Sequence, residues 1–337
     1  MIDLTRRGAL GLVGGAAVLP LLGSPALANT KMTVGALRFT SHAASFVAYE
    51  RGYFADEGLD VEFKFFQAAQ PMAVAIASGD ADYAVTAISG GLISLAEKGA
   101  TKVIGGALSE EPGIDGQLIL ASNAAYDAGL TSPAMLDGKK FGITQAGSSF
   151  HYMGSKISTA EGATVSFKPL QKVGAIIGAL KSGQVDAWSI VPHIAKALAG
   201  GGAVKIIGNV ADYIPNYQVT TVFTSANNAA NERAKSEAFL RAFSRGADDF
   251  NAALVDKTAG DEASEEMVKL IHIYVYADRP YEKARGSIIN GAMRINKNAA
   301  LNMDSINDQL SWFKSEKLIK DGITMETLVD SSYVPTM

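Results

Sequence analysis

Apolar and polar positions along residues 32–107 switch repeatedly between two periods. Met32–Phe39 (MTVGALRF) is a short apolar run and reads as a strand. Ser41 to Phe54 places Ala44, Val47 and Ala48 at helical spacing, and Gly58 closes the helix. Leu59–Phe66 (LDVEFKFF) alternates as a second strand. A helix over Pro71–Ser78 stops at Gly79, and Ala81–Ala87 (ADYAVTA) is a third strand. Gly91–Lys98 is helical, and Lys102–Ala107 is a fourth strand. Strands alternating with helices predict a parallel sheet covered by those helices.

The rhythm then restarts. Gln117–Ser122 reads as a strand, followed by a polar loop to Ser132-Pro133. Lys140–Thr144 is a strand, a helix runs from about Ser149 to Glu161, and Val165–Pro169 is a strand. The next helix carries Val173, Ile176, Ile177 and Leu180 at i, i+3, i+4, i+7. Gln184–Ile190 is a strand, Pro192–Ala199 a helix, and Val204–Gly208 a strand. Asn216–Ser225 (NYQVTTVFTS) is a long extended run, suited to a chain crossing back between two lobes. Helices dominate afterwards. In 232–256, Phe239, Ala242, Phe243, Gly246 and Phe250 share one face. The helical patterns at 281–296 and 304–318 carry several charges and are expected to wrap the outside.

Length and charge narrow the picture. A chain of 337 residues is sized for two domains. Its net charge is −4, with no basic run beyond Arg6-Arg7 and Lys139-Lys140, which argues against a nucleic-acid partner. It contains no cysteine, so disulfides, thiolate metal sites, iron–sulfur clusters and cysteine nucleophiles are excluded. The first residues have the pattern of an export signal. A charged start ends at Arg6-Arg7, an apolar stretch follows, and Ala26-Leu27-Ala28 offers a small-residue cleavage site. Gly14, Gly15, Pro20 and Pro25 interrupt the stretch, against a membrane anchor. Thr5–Leu10 (TRRGAL) resembles a twin-arginine signal, with Ala9 where a bulkier apolar residue is preferred, so Sec export stays open. The expectation is a signal peptide at 1–28 and a periplasmic protein. The lack of cysteine excludes a lipoprotein anchor.

Four segments carry a family resemblance: GYFADEGLDVEF at Gly52–Phe63, ASGDADYAV at Ala77–Val85, LDGKKFGIT at Leu136–Thr144 and ALKSGQVDAW at Ala179–Trp188. In this order and spacing, over roughly 31–225, the chain resembles the periplasmic substrate-binding proteins of ABC importers for sulfonates, taurine, nitrate and thiamin-type pyrimidines. The resemblance implies an α/β, two-lobed periplasmic binding protein fold (type II). Each lobe would be a mostly parallel sheet flanked by helices, with two extended hinge crossings between them. Lobe 1 would hold 29–121 and 222–337, and lobe 2 would hold 122–221. It further implies a small-molecule ligand, a membrane permease with its ATPase as partner, a monomer, no cofactor and no catalysis. Read locally, Gly52, Gly58 and Phe54 are scaffold. Asp82 and Asp186 are expected to accept backbone N–H bonds as they enter strands.

In open α/β sheets, ligands sit outside the carboxyl ends of the strands. The loops there hold Phe39, Ser41 and His42 after the first strand and Thr86, Ser89 and Gly90 after the third. Gly147, Ser148, Ser149 and His151 follow the first strand of the second lobe. Trp188 and His193 lie in the segment after Val185, and the crossing run supplies Tyr217. Gly147 allows close backbone approach. Ser148 and Ser149 either cap a helix or donate hydroxyls, and the free N–H groups of a helix start suit a carboxylate, sulfonate or phosphate. Ser41 and Ser89 mark two further helix starts. Trp188 and Tyr217 could stack on a flat ligand, with Phe39 and Phe150 as walls. Arg38 either pairs with an anion or faces solvent. His272 stays outside the site.

Two other classes stand beside a transport receptor. A pyrimidine-related enzyme of this fold would need reactive chemistry, and the sequence lacks HExxH, GxSxG, P-loop and GxGxxG motifs. A receptor reporting to a sensor kinase would be distinguished by its genomic neighbours. Three cleft histidines could converge on zinc or copper, but they show no paired metal-ligand spacing.

Overall fold

The computed structural model describes residues 30–337, so the leader expected at 1–28 lies outside the described residues. The first half of the chain is β1 (Thr30–Ala36), α1 (Ala43–Glu50), α2 (Tyr53–Asp56), β2 (Leu59–Phe65), α3 (Ala69–Ser78), β3 (Tyr83–Thr86), α4 (Gly90–Glu97) and β4 (Thr101–Gly106). The second unit is β5 (Leu118–Ser122), α5 (Asn123–Asp127), β6 (Lys140–Ile143), α6 (Ser149–Ala160), β7 (Ser166–Pro169), α7 (Val173–Lys181), β8 (Ala187–Ile190), α8 (Pro192–Gly200) and β9 (Val204–Asn209). After β10 (Thr221–Ser225) come α9 (Ala226–Asn231), α10 (Arg233–Phe250), α11 (Asp261–His272), α12 (Tyr281–Ile289), α13 (Met303–Ser315) and α14 (Met325–Leu328).

Two five-stranded sheets have the same wiring. One is ordered β2-β1-β3-β10-β4 and the other β7-β6-β8-β5-β9. In each, four strands share one direction and the strand in fourth place opposes its neighbours. That strand is β10 in the first sheet and β5 in the second, and each shifts register once, at Val222/Phe223 and at Ile119/Leu120. Helices cover both sheets, and the result is a two-lobed α/β fold. The two aspartates singled out in the sequence do equivalent work. Asp82 Oδ2 accepts the Thr33 N–H at 2.8 Å, and Asp186 Oδ2 accepts the Lys140 N–H at 2.7 Å. Each pins the start of an inner strand to the strand beside it.

Two backbone crossings run antiparallel between the sheets. The Ala107 N–H donates to the Thr220 carbonyl at 3.0 Å, Val219 to Leu108 at 2.8 Å and Glu110 to Tyr217 at 2.9 Å. Gln218 ties them to the C-terminal segments. Its amide donates to the Thr220 carbonyl at 2.8 Å, and its oxygen accepts from Asn296 and from the Asn302 N–H, both at 3.0 Å.

Several elements differ from expectation. The helix expected over Ser41–Phe54 is three pieces: a 3-10 turn at Thr40–His42, then α1, then α2. Gly52, with φ 75°, separates the last two. The polar loop after β5 contains α5, because Ser122 caps it by accepting the Ala125 N–H at 3.1 Å. The helix expected to reach residue 296 ends at Ile289. Gly291 beyond it sits so close to His193 that a Cβ there would lie 2.1 Å from the His193 Cβ. The extended run at 216–225 pairs as a strand only from Thr221. The 304–318 helix does not simply wrap the exterior: Trp312 and Phe313 on α13 are buried against the second lobe. The shared face of α10 does pack inward on α1, at a crossing tight enough that a Cβ on Gly246 would lie 2.2 Å from the Ala44 carbonyl.

Candidate functional site

The carboxyl ends of the strands from both sheets face one small cavity of about 60 Å³. The β1 end supplies Leu37, Phe39, Ser41 and His42, and the β2 end supplies Ala68 and Ala69. Thr86 and Ala87 follow β3, and Thr144, Ser148, Ser149 and Phe150 follow β6. Val173 opens α7, Ile190 and Val191 follow β8, and the crossings contribute Gln117, Val219 and Thr220. Phe39, Ser41, His42, Thr86, Ser148 and Ser149 were expected here. Among the described residues, no charged side chain lines the cavity.

Helix starts dominate its polar character. The first residues of α3, α6 and α7 are Ala69, Ser149 and Val173, and all three line it. None of these helices has an acidic residue in its first turn, and no side chain caps α3 or α7. Ser148 caps α6 by accepting the His151 N–H at 3.3 Å, so this serine both caps and lines. The remaining N-terminal N–H groups of the three helices are available to an acceptor.

His42 is buried, and its Nδ1 accepts the Leu37 N–H at 3.4 Å. Burial lowers its pKa to about 3, so the ring is neutral with its proton on Nε2. His193 is also buried, and its pKa is pushed down to about 3 by burial and then by His42 and Arg279. Its Nδ1 is 2.9 Å from the Tyr276 hydroxyl, and its ring packs edge-on to Phe39 at 5.5 Å.

Several expected residues stand outside the cavity. Trp188 is fully buried in β8, packs behind Phe150 at 5.4 Å, and does not line the cavity. Tyr217 is fully buried against Tyr152 at 5.2 Å. His151 accepts the Gly147 N–H on Nδ1 at 3.1 Å and packs between Phe167 and Trp312. That bond occupies the ring nitrogen nearest the turn, so Ser148 and Ser149 have no base in it. Arg38 lies over the Phe65 ring at 3.8 Å and donates to the Tyr274 carbonyl. Ser89, Gly90 and Gly147 form the seam beside the cavity. Ser89 caps α4 by accepting the Leu92 N–H at 3.2 Å. The Gly90 N–H donates to the Gly147 carbonyl at 2.9 Å, and Gln145 donates to Gln70 at 3.2 Å.

The sequence does not single out Gln117, Thr144, Thr220 or the seam residue Gln70, whereas Gln145 lies in the expected loop after β6. Gln117 has the sharpest signature: it is 2% exposed, it lines the cavity, and its Nε2 has no partner among the described residues. A larger groove of about 900 Å³ lies between α6, α13 and the crossings. Ion pairs line it, Lys156 with Asp308 and Arg294 with Glu111, and no strand end of either sheet opens into it. We therefore place the candidate site in the smaller cavity. Among the described residues, no group of three or more His, Asp or Glu could hold a metal ion, and no helix is long and apolar enough to cross a membrane.

Two like-wired sheets, joined by two crossings and facing across a cleft, make this a protein of the two-lobed periplasmic-binding-protein fold. The chain belongs to the NMT1/THI5-like family, whose model matches residues 39–253. Among solved structures, it is similar to the alkanesulfonate-binding protein SsuA from Xanthomonas axonopodis pv. citri bound to MOPS. That match has TM-score 0.70 and 15% identity, covering 90% of this chain and 98% of the other. The periplasmic nitrate-binding protein NrtA from Synechocystis PCC 6803 matches with TM-score 0.65 and 14% identity, covering 88% and 84%. A cysteine-to-serine mutant of DSZB in complex with biphenyl-2-sulfinic acid matches with TM-score 0.54 and 11% identity, covering 90% and 97%. No curated protein matches the chain.

Proposed function

We propose that this chain is the solute-binding component of an ABC-type uptake system, exported to the periplasm, and that it captures a small organic anion between its lobes. The observation that carries the reading is the convergence of three helix N-termini, at Ala69, Ser149 and Val173, on one cavity without charged side chains. Their unpaired N–H groups and partial positive charge favour a carboxylate or sulfonate. The neutral His42 Nε2–H and the Gln117 amide add donors. Phe39, Phe150, Ile190 and Val191 suit a short apolar body. A closed volume of about 60 Å³ has room for a ligand of few heavy atoms.

Residues 29–121 with 222–337 form one lobe in this reading, and 122–221 form the other. Ligand touches both only when the lobes close, so it draws the population toward the closed form. That form delivers the ligand to a membrane permease. Binding rather than turnover fits the site, because its serines lack a base and the chain has no cysteine.

The test is thermal melting of the chain from Asn29, after unfolding and refolding to release carried ligand. The compounds are acetate, benzoate, methanesulfonate, taurine, nitrate and tetramethylammonium. One anion class at a hundred times its dissociation constant should stabilise by about 2.7 kcal/mol. Phe39→Ala and Gln117→Ala should each abolish that rise. Stabilisation by the cation alone, or by no anion in the set, sinks the reading.

A further inference from the structure

The hinge contains a buried acid that the ligand reading does not use. Glu110 lies in the first crossing and is 2% exposed. Its Oε1 accepts the Gln117 N–H at 2.9 Å, closing the loop 110–117. Its own N–H donates to the Tyr217 carbonyl of the second crossing at 2.9 Å. Gln117 in turn lines the ligand cavity and accepts the Val210 N–H at 2.9 Å. Glu110 therefore joins the second crossing through its backbone and a cavity residue through its carboxyl. Its Oε2 is buried with no partner among the described residues, and a Cβ at Gly116 would lie 2.0 Å from it. A side chain at Gly116 would displace this carboxyl from its place against the loop.

We propose that Glu110 is a positioning residue of the ligand site, holding Gln117 at the cavity from inside the hinge, and that lobe closure is coupled to its protonation. This rests on the two-lobed receptor reading for its purpose, but not for its test.

The surroundings give the sign. The Tyr217 phenol faces Glu110 from the second crossing, and Glu111 and Asp115 share its loop. Around the large groove that Glu110 also lines are Arg294 and Lys297, Tyr152 and Lys156 of α6, Asp304 and Asp308 of α13, and Tyr213. Asp212 lies on the neighbouring groove. Arg294 is engaged by Glu111 and Asp256, and Lys156 by Asp308. Among the described residues no cation pairs with Glu110. Burial accordingly raises its pKa to about 7, against the opposing pull of the Gln117 backbone N–H. His42 and His193, both pushed down to about 3, stay neutral in this range.

The carboxyl lies between its own loop 110–117 and Tyr217 of the second crossing, and in this proposal opening the hinge draws these apart, rehydrates it and returns it toward the usual carboxylate value. Closing then takes up a proton, and the closed form gains as pH falls. For a group moving from 4.5 to about 7, the closing equilibrium changes by about 70-fold between pH 8 and pH 5.

The cysteine-free chain allows a clean test without ligand. Nitroxide labels at Val74→Cys and Met135→Cys, about half exposed on opposite lobes, report the interlobe distance. The expected result is a longer mean distance at pH 8 than at pH 5, with Glu110→Gln holding the shorter distribution at both. Matching melting curves at pH 5 show that the variant is folded. An unchanged distribution across pH, or a shift that persists in Glu110→Gln, overturns the proposal. Neither outcome depends on which compound, if any, binds the cavity.

Discussion

The Gly90 amide donates to the Gly147 carbonyl at 2.9 Å, joining the start of α4 in one lobe to the β6–α6 turn in the other. Gly147 has φ 72°, and its own N–H is held by the His151 ring, so the left-handed turn is fixed from within its own lobe. A Cβ there would still find 3.5 Å of space to Gly90 and Phe313. Gly147→Ala therefore acts through backbone conformation rather than collision. It should cost about 1–2 kcal/mol. Gly90 has an ordinary φ and room for a methyl 3.6 Å from Phe313, so Gly90→Ala should cost well under half as much. Paired urea denaturation curves would show it; equal losses would contradict this account.

The α13 seam makes two unequal contacts with α6. The Trp312 Nε1–H donates to the Ser155 hydroxyl at 2.9 Å, and both groups are buried. Lys156 pairs with Asp308 at 3.0 Å, but the two side chains are 32% and 47% exposed. Ser155→Ala strands a buried donor and should lose about 1–3 kcal/mol. Lys156→Ala should lose less than about 1 kcal/mol, since screened surface pairs contribute little. The ranking is checked by denaturation midpoints at matched salt, and a larger loss for Lys156→Ala would reverse it.

Stability should rise from acid pH to a plateau near pH 7. His42 and His193 have folded values near 3, below the unfolded 6.5, so the unfolded chain binds more protons between those values. Stability therefore falls as pH drops below 6.5, by roughly 2 kcal/mol for each ring at pH 5. Glu110 acts oppositely. Its folded value is raised, so its contribution is complete below 4.5 and is lost as pH rises through about 7. Melting temperatures from pH 4 to 9 test the profile. His193→Asn should flatten the acid limb and Glu110→Gln should steepen it; a limb unchanged in both variants would show that other groups control it.

How much was legible follows from what local pattern can carry. GDADYAV and GQVDAW gave both strand entries and the aspartates that pin them, because a helix stop, an N–H acceptor and an apolar strand are neighbours in sequence. Phe39, Ser41, His42, Thr86, Ser148 and Ser149 were legible for a similar reason: each lies just past a strand end. Trp188 follows a strand pattern too, yet it lies within β8 and faces Phe150 rather than the cavity. Gln117 and Thr220 were invisible because the antiparallel pairing of two crossings about a hundred residues apart brings them to the site. The periodicity of α13 showed that one face is apolar, but not that Trp312 would meet the other lobe.

The return of β10 to the first sheet sets an order for building the molecule. The second sheet uses only residues 118–209, one unbroken stretch of chain. The first has β3 and β4 early, but the strand between them is β10, which begins at Thr221. As the chain is made from its N-terminus, the half begun first must be finished last. Until residue 225 emerges, β3 and β4 keep open edges toward each other, the condition in which unpaired strands recruit wrong partners.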